Sequence, residues 1–207
     1  MKRKNLFLLL FLFSFAIKVQ SQPDRNVISP LMNFKIGYFL SGSPSFDEIY
    51  SDIRASYGGT FGVGYKGKFL FVKFRQFDAF GKSKLSNLEV PGKATWHQEF
   101  AVVGVRFYSE RRDDISGYID VGGVFTQIDE EISTSDPFIP ELFGFAQINN
   151  WGVTGAMGLD LWITHFIALN VELEYSRILF DTNKGLDKEK INLGGVYFGT
   201  GITITLY

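Results

Sequence analysis

Residues 167–177, IALNVELEYSR, carry the clearest structural signal in the sequence. Apolar side chains occupy every second position from Leu169 to Tyr175, and polar side chains occupy the positions between them. Because successive side chains of a β-strand point to opposite faces, this alternation predicts a strand with one apolar and one polar face.

The same period of two recurs along most of the chain, whereas helical periodicity is almost absent. We therefore predict an all-β protein with eight strands, each about 10–14 residues long. Besides a strand near residues 166–177, the predicted strands lie near residues 31–42, 55–66, 68–77, 96–108, 115–128, 150–163 and 192–207.

Short and long connections alternate between these strands. The short connections are near residues 66–68, 109–114 and 164–165, and the long ones are near 43–54, 78–95, 129–149 and 178–191. An up-and-down barrel in an outer membrane has this asymmetry, because its periplasmic turns are tight and its external loops are free to grow. The pattern predicts an eight-stranded antiparallel transmembrane β-barrel.

The N-terminus has the three parts of a secretory signal peptide. Three basic residues, Lys2 to Lys4, precede an apolar run from Leu6 to Ile17, and Val19-Gln20-Ser21 follows as a cleavage site. We predict a signal peptide at residues 1–21 and a barrel domain at residues 22–207; an uncleaved anchor is the alternative. Without the signal peptide the chain has 17 basic and 22 acidic residues, so its net charge is −5.

Composition excludes several functional classes. The chain has no cysteine, which excludes disulfides, thiolate metal sites and thiol catalysis. Its near-neutral formal charge of −1 gives no electrostatic basis for binding nucleic acid. The glycine runs lie inside strand patterns and do not match a phosphate-binding loop. We therefore expect no cofactor and no metal.

The side-chain types suggest which strand face is which. The apolar faces carry tyrosine or tryptophan near the strand ends, as the interfacial girdle of a membrane barrel does. The polar faces mix small and charged residues, which suits the crowded lumen of an eight-stranded barrel. Solvated strand faces and an ion path are the alternatives. We predict a plugged lumen with a charge-paired network of Lys35, Lys73, Arg75, Arg106, Asp120, Asp160, Glu172 and Glu174.

Residues 155–160, GAMGLD, and 167–175, IALNVELEY, together with the signal peptide and the terminal Tyr207, resemble the small outer-membrane β-barrel proteins related to the OmpA transmembrane domain. The resemblance covers about residues 31–207 and is greatest to proteins of the Bacteroidota type. It implies that outer-membrane lipids surround the barrel and that Tyr207 belongs to the signal read by the barrel-assembly machinery. The family holds adhesins and assembly subunits and fixes no activity.

Two further features are candidates for function. His97 lies two residues from Glu99, and a histidine–carboxylate pair can activate a serine hydroxyl, although no His-x-Ser motif is present. The third long connection contains an apolar cluster that binds a partner or, alternatively, folds down and caps the barrel mouth. The cluster consists of Phe138, Ile139, Leu142, Phe143 and Phe145.

Three hypotheses follow from the sequence. The first is a non-enzymatic outer-membrane barrel that acts as a structural or accessory subunit of a larger cell-envelope complex. The second is a lipid A-modifying outer-membrane enzyme that uses His97. The third is a soluble periplasmic barrel that binds an apolar ligand.

Overall fold

The computed structural model describes residues 28–43, 46, 50, 54–84, 91–109, 114–134, 144–184 and 187–205. For residues 82–84, 91–94, 130–134, 144–147, 180–184 and 187–191 it describes the backbone alone. The predicted signal peptide, Tyr207 and four residues of the apolar cluster, Phe138, Ile139, Leu142 and Phe143, lie outside the described residues and remain predictions.

Eight antiparallel strands close into a barrel in which every neighbour along the chain is also a neighbour in space. They confirm the predicted fold. The barrel strands are β1 Ser29–Ser41, β2 Ala55–Tyr65, β3 Lys68–Lys84, β4 Pro91–Tyr108, β5 Ile115–Thr134, β6 Gly144–Trp162, β7 Ile167–Arg177 and β10 Gly195–Thr205. The first strand closes the barrel by pairing with both β2 and β10.

The short connections near residues 66–68 and 164–165, the start of β1 and the end of β10 lie at one end of the barrel. Lys66 and Gly67 both have positive φ angles, 51° and 75°, as a two-residue hairpin turn requires. Ser29 pairs with Gly64 and Leu31 pairs with Thr205, which places the first and last strand residues beside this turn. We call this the periplasmic end and the opposite one, where the long connections lie, the external end.

The outer surface of the barrel is apolar. Side chains such as Ile36, Leu70 and Val103 are about 70% exposed, although a water-soluble barrel would bury them. Exposed aromatic residues lie toward the external ends of their strands, among them Trp151 and Tyr175, and Tyr65 lies at the periplasmic end. This surface matches the apolar band and aromatic girdles of a transmembrane barrel. Within the described ranges, no helix is long and apolar enough to cross a bilayer.

Four strands are longer than the sequence predicts. Strands β3 to β6 have 17 to 20 residues, and their extensions take up much of the connections predicted near 78–95 and 129–149. The last long connection contains a separate hairpin, β8 Leu179–Lys184 paired with β9 Asp187–Asn192. The alternation of apolar and polar residues fades in the extensions because their outer face does not contact lipid hydrocarbon and can carry charges.

Candidate functional site: the barrel interior and the external rim

All eight side chains of the predicted charge network lie inside the barrel, and each is 6% exposed or less. Their strands carry them inward because they share the polar phase of the alternation. The basic residues come from β1, β3 and β4, and the acidic ones come from β5, β6 and β7. They are Lys35, Lys73, Arg75, Arg106, Asp120, Asp160, Glu172 and Glu174.

Glu172 is the centre of the network. It pairs with Lys35 through a hydrogen bond, and its Oε1 lies 3.0 Å from Lys73 Nζ. Arg106 Nη2 lies 3.5 Å from Glu172 Oε2, and the Tyr118 hydroxyl donates to the same oxygen at 2.8 Å. One carboxylate therefore joins three cations that belong to three different strands.

Arg106 and Asp120 form the best-aligned pair. They are register partners on β4 and β5, and the guanidinium donates through Nε at 2.7 Å and Nη2 at 2.8 Å. The guanidinium also stacks on Tyr118, with 3.7 Å between its carbon and the ring centroid. Two parallel hydrogen bonds satisfy both carboxylate oxygens, which offsets much of the cost of burying the charges.

The external side of the network is formed by Glu174. Its two oxygens accept from Lys73 at 2.7 Å and from Arg75 at 2.9 Å. The Arg75 guanidinium lies 4.6 Å from the ring centroids of both Phe100 and Tyr197, so aromatic faces surround the remainder of this cation. At Arg75 the ion pairs of the network therefore contact aromatic side chains on the external side.

Asp160 is buried, but its described partners are not basic residues. Its carboxylate accepts hydrogen bonds from the Tyr108 hydroxyl at 2.7 Å, from the Asn170 amide at 2.7 Å and from the Thr203 hydroxyl at 2.8 Å. The prediction that Asp160 takes part in ion pairs therefore needs correction. Neutral donors on β4, β7 and β10 take the place of a cation.

The external half of the interior is an aromatic core that the sequence reasoning missed. It includes Phe39, Phe77 and Phe100, all of which are nearly inaccessible. These residues share the inward phase of Lys35, Arg75 and Arg106 on the same strands, so following that phase to the external end would have found them. The core ring pairs include Phe39 on Phe77 at 4.6 Å between centroids.

The connection between β1 and β2 contributes to this core. Phe46 and Tyr50 are buried, and the Phe46 ring meets the Trp96 ring edge-on at 5.0 Å between centroids. Tyr50 N donates to Phe46 O at 2.9 Å, and the Arg54 guanidinium lies 4.5 Å from the Phe46 centroid. Two aromatic residues from the first long connection thus close over the external end of the interior.

Glycines allow the large rings to lie flat against the barrel wall. A Cβ atom at Gly158 would collide with the Tyr118 ring, and one at Gly199 would collide with the Tyr197 ring. The strand glycines therefore make room for interior aromatic residues. A cavity of about 10 Å³ remains between Lys35, Lys73 and Tyr197, which is about the space one water molecule needs.

His97 lies on the outer face of β4, two residues beyond Glu99 and four beyond Ala101 toward the external end. Ala101 is the register partner of Phe74 and Phe125, whose rings belong to the external aromatic girdle. Because this girdle marks the edge of the membrane, His97 lies outside the membrane-spanning band. Its Nδ1 is 2.6 Å from Asp78 Oδ1, and its Nε2 is 3.3 Å from Glu99 Oε1. The hydrogen bond with Asp78, supported by Glu99, raises the pKa of His97 above its ordinary value, although desolvation partly opposes this rise.

This arrangement does not resemble a catalytic pair. Both ring nitrogens of His97 have carboxylate partners, so neither is directed at a hydroxyl nucleophile. Among the described residues, no group of three His, Asp or Glu side chains is placed to hold a metal ion.

Phe145 of the predicted apolar cluster is part of β6. Its backbone pairs with Glu131 of β5, which corrects its assignment to the third external connection. β5 and β6 stay paired beyond the aromatic girdle as far as Ile132 and Gly144, so Phe145 lies within the strand.

The closed barrel, its apolar outer band and its buried polar interior define an eight-stranded outer-membrane β-barrel protein. No protein-family model and no curated protein matches the sequence. Solved outer-membrane proteins share the fold at very low sequence identity, so the comparison establishes the fold.

Three of these structures are similar over most of both chains. OprG from Pseudomonas aeruginosa is 14% identical with a TM-score of 0.55, and the match covers 87% of this chain and 95% of OprG. A major outer membrane protein from Thermus thermophilus is 6% identical with a TM-score of 0.55, covering 86% and 99%. Ail, the attachment invasion locus protein of Yersinia pestis, is 9% identical with a TM-score of 0.51, covering 86% and 97%.

Proposed function

We propose that this protein is a non-enzymatic outer-membrane barrel with a plugged lumen that acts as a structural or accessory subunit of a larger cell-envelope complex. The observation that carries the proposal is the filled interior. Ion pairs occupy the middle of the lumen, and an aromatic core occupies its external half. A barrel filled in this way acts through its surfaces.

The external surface supports a role in assembly. Strands β3 to β6 continue beyond the girdle as a four-stranded wall, and Lys84 of β3 still pairs with Pro91 of β4. A rigid projecting sheet is suited to holding a binding segment in place, because ordered elements position contacts more precisely than free loops do. The predicted partner segment, residues 138–143, connects two strands of this wall.

The test is the size of the native assembly. The tagged chain, expressed at its natural level, is extracted in mild detergent and run on a native gel. We expect a complex larger than the barrel alone, and we expect it to be lost when Phe138, Ile139, Leu142 and Phe143 are replaced by serine. Leu179→Ser, on the separate β8–β9 hairpin, is the matched control and should retain the complex. Migration of the wild-type chain as a monomer would contradict the proposal.

The enzymatic alternative has its own measurement. Since both ring nitrogens of His97 contact carboxylates, we expect lipid A from a His97→Ala strain to have an unchanged mass spectrum. Loss or gain of an acyl chain in that spectrum would favour the enzyme.

A further inference from the structure

A groove crosses the outer surface of the barrel at the external girdle. One register row runs from β2 to β5 through small and large residues in alternation, so the small residues leave gaps beside the rings. The groove has a volume of about 420 Å³. The row consists of Gly59, Phe74, Ala101 and Phe125.

The next row toward the external end is polar and forms the rim of the groove. It contains Tyr57, Gln76, Glu99 and Gln127, which are register partners and line the same cavity. The Gln76 amide donates to the Tyr57 hydroxyl. The Glu99 side chain is 54% exposed, so its carboxylate can meet a ligand at the membrane surface.

The rim is acidic. One row further out, Asp78 and Asp129 flank His97 on the neighbouring strands, which adds two carboxylates beside Glu99. Among the described side chains of these two rows, the basic one is His97, which contacts both Asp78 and Glu99, so three carboxylates outnumber one imidazole. Arg75 also borders the groove, but its guanidinium turns inward to Glu174. An apolar slot below a rim with a net negative charge complements an amphiphile with a cationic headgroup.

We propose that this groove binds a membrane lipid whose headgroup carries a primary ammonium group. An acyl chain lies in the slot over Ala101, between the rings of Phe74 and Phe125. The ammonium donates hydrogen bonds to Glu99. The amides of Gln76 and Gln127 lie on the same rim, where they can donate hydrogen bonds to the phosphate or ester oxygens of the lipid. Anionic headgroups are disfavoured because the three carboxylates outnumber the single imidazole of His97 at the rim.

The test compares three lipids that differ only in their headgroups. The folded full-length barrel in detergent is mixed with phosphatidylethanolamine, phosphatidylcholine or phosphatidylglycerol with identical acyl chains, and retained lipid is counted by native mass spectrometry. We expect phosphatidylethanolamine to be retained about fivefold more than phosphatidylglycerol, since a half-exposed ion pair contributes up to about 1 kcal/mol. Equal retention of the three lipids by the wild-type chain would overturn the proposal.

Two variants and one control distinguish the contribution of the headgroup contact from that of the apolar slot. Glu99→Gln should lower retention of phosphatidylethanolamine to the level of phosphatidylcholine, and Ala101→Leu should lower retention of all three lipids by filling the slot. Asp114→Asn removes the same charge at the periplasmic end and should leave retention unchanged. Because Glu99 and Ala101 lie on the outer face, the variants are expected to fold, which heat-modifiable gel migration verifies. Unchanged phosphatidylethanolamine binding by Glu99→Gln would refute the headgroup assignment.

Discussion

At the scale of single residues, the interior charges depend on shared partners. Asp120 illustrates this, because its two oxygens accept two hydrogen bonds from Arg106 while Lys73 Nζ lies 3.5 Å away. A buried charge without a partner is far more costly than a buried neutral side chain. Asp120, Glu172 and Glu174 therefore stabilise the barrel mainly by preventing a cation from being left alone.

The Asp120→Asn variant tests this dependence. The change weakens the two close hydrogen bonds of the fully buried Arg106 to a carboxylate and leaves it only the longer contact with Glu172 at 3.5 Å, so we expect the free energy of unfolding to fall by about 3–5 kcal/mol. Urea unfolding of the barrel in lipid vesicles, followed by tryptophan fluorescence, measures the change. Glu99→Gln removes an exposed carboxylate and should change stability by less than about 0.5 kcal/mol. A similar, small effect of both variants would show that the Arg106–Asp120 pair is not important for folding.

The contact between Gly158 and Tyr118 gives a second prediction. An added methyl group at Gly158 meets the Tyr118 ring, which is itself held by a hydrogen bond to Glu172 and by stacking under Arg106. We expect Gly158→Ala to destabilise the barrel by about 1–3 kcal/mol in the same unfolding assay. Gly155→Ala on the same strand is the control, because the nearest atom to its new Cβ, Asp120 O, is 3.7 Å away. Equal effects of the two substitutions would mean that ring contact is not the cause.

The environment of His97 predicts a pH dependence. Its folded-state pKa is raised, chiefly by the hydrogen bond to Asp78. The stability that this pair contributes is therefore fully present below the unfolded pKa of about 6.5 and is lost as the pH rises through the folded value. An NMR titration of the His97 ring protons should have a midpoint above that of Asp78→Asn, and identical midpoints would argue against the contact.

At the scale of elements, the alternation predicts the membrane-spanning parts of the strands well and their external parts poorly. The alternation predicts a strand near residues 166–177, and β7 spans Ile167–Arg177. By contrast, β5 continues to Thr134 through Asp129, Glu130 and Glu131, a run of charges without alternation. Hydrogen bonding to β4 and β6 holds this extension, and pairing with a distant segment leaves no mark on the local sequence.

The alternation likewise predicts one part of the barrel interior, the charged residues, and misses the other, the aromatic core. The inward phase identified the charged residues because charge is conspicuous on a strand that is otherwise apolar. Phe39, Phe77 and Phe100 share that phase but carry no charge to mark them, so they are found only when the phase is followed to the external end of each strand. The contribution of Phe46 and Tyr50 depends on how a long connection folds, which local pattern does not encode.

The extension of β3 and β4 can be tested by cross-linking. Lys82 and Lys93 are register partners, and the natural chain has no cysteine to interfere. We expect Lys82→Cys with Lys93→Cys to form a disulfide under mild oxidation, because directly opposed strand residues have suitable Cα separations. Lys82→Cys with Ala94→Cys places the two thiols on opposite faces and should remain reduced. Thiol counting by mass spectrometry distinguishes the two outcomes, and equal cross-linking would indicate a mobile loop instead of a strand pair.

At the scale of the whole molecule, the barrel reverses the arrangement of a water-soluble protein, in which the outside is polar and the inside apolar. Its outer face is apolar and lies in lipid, while its interior holds ion pairs at mid-height and aromatic rings at the external end. The abundance of both phenylalanine and glycine follows from this organisation, since rings occupy both faces and glycines leave space for the inner ones. The proposed function depends on one consequence, namely that the filled lumen does not conduct.

Single-channel recording in planar bilayers measures that consequence directly. Purified barrel is inserted into the bilayer, and heat-modifiable migration of protein recovered from the same vesicles verifies that it is folded. We predict no discrete current steps in about 1 M KCl across the usual voltage range. Discrete, reproducible steps from the wild-type chain would show an open path through the layers around Glu172 and Phe77 and would contradict the plugged barrel.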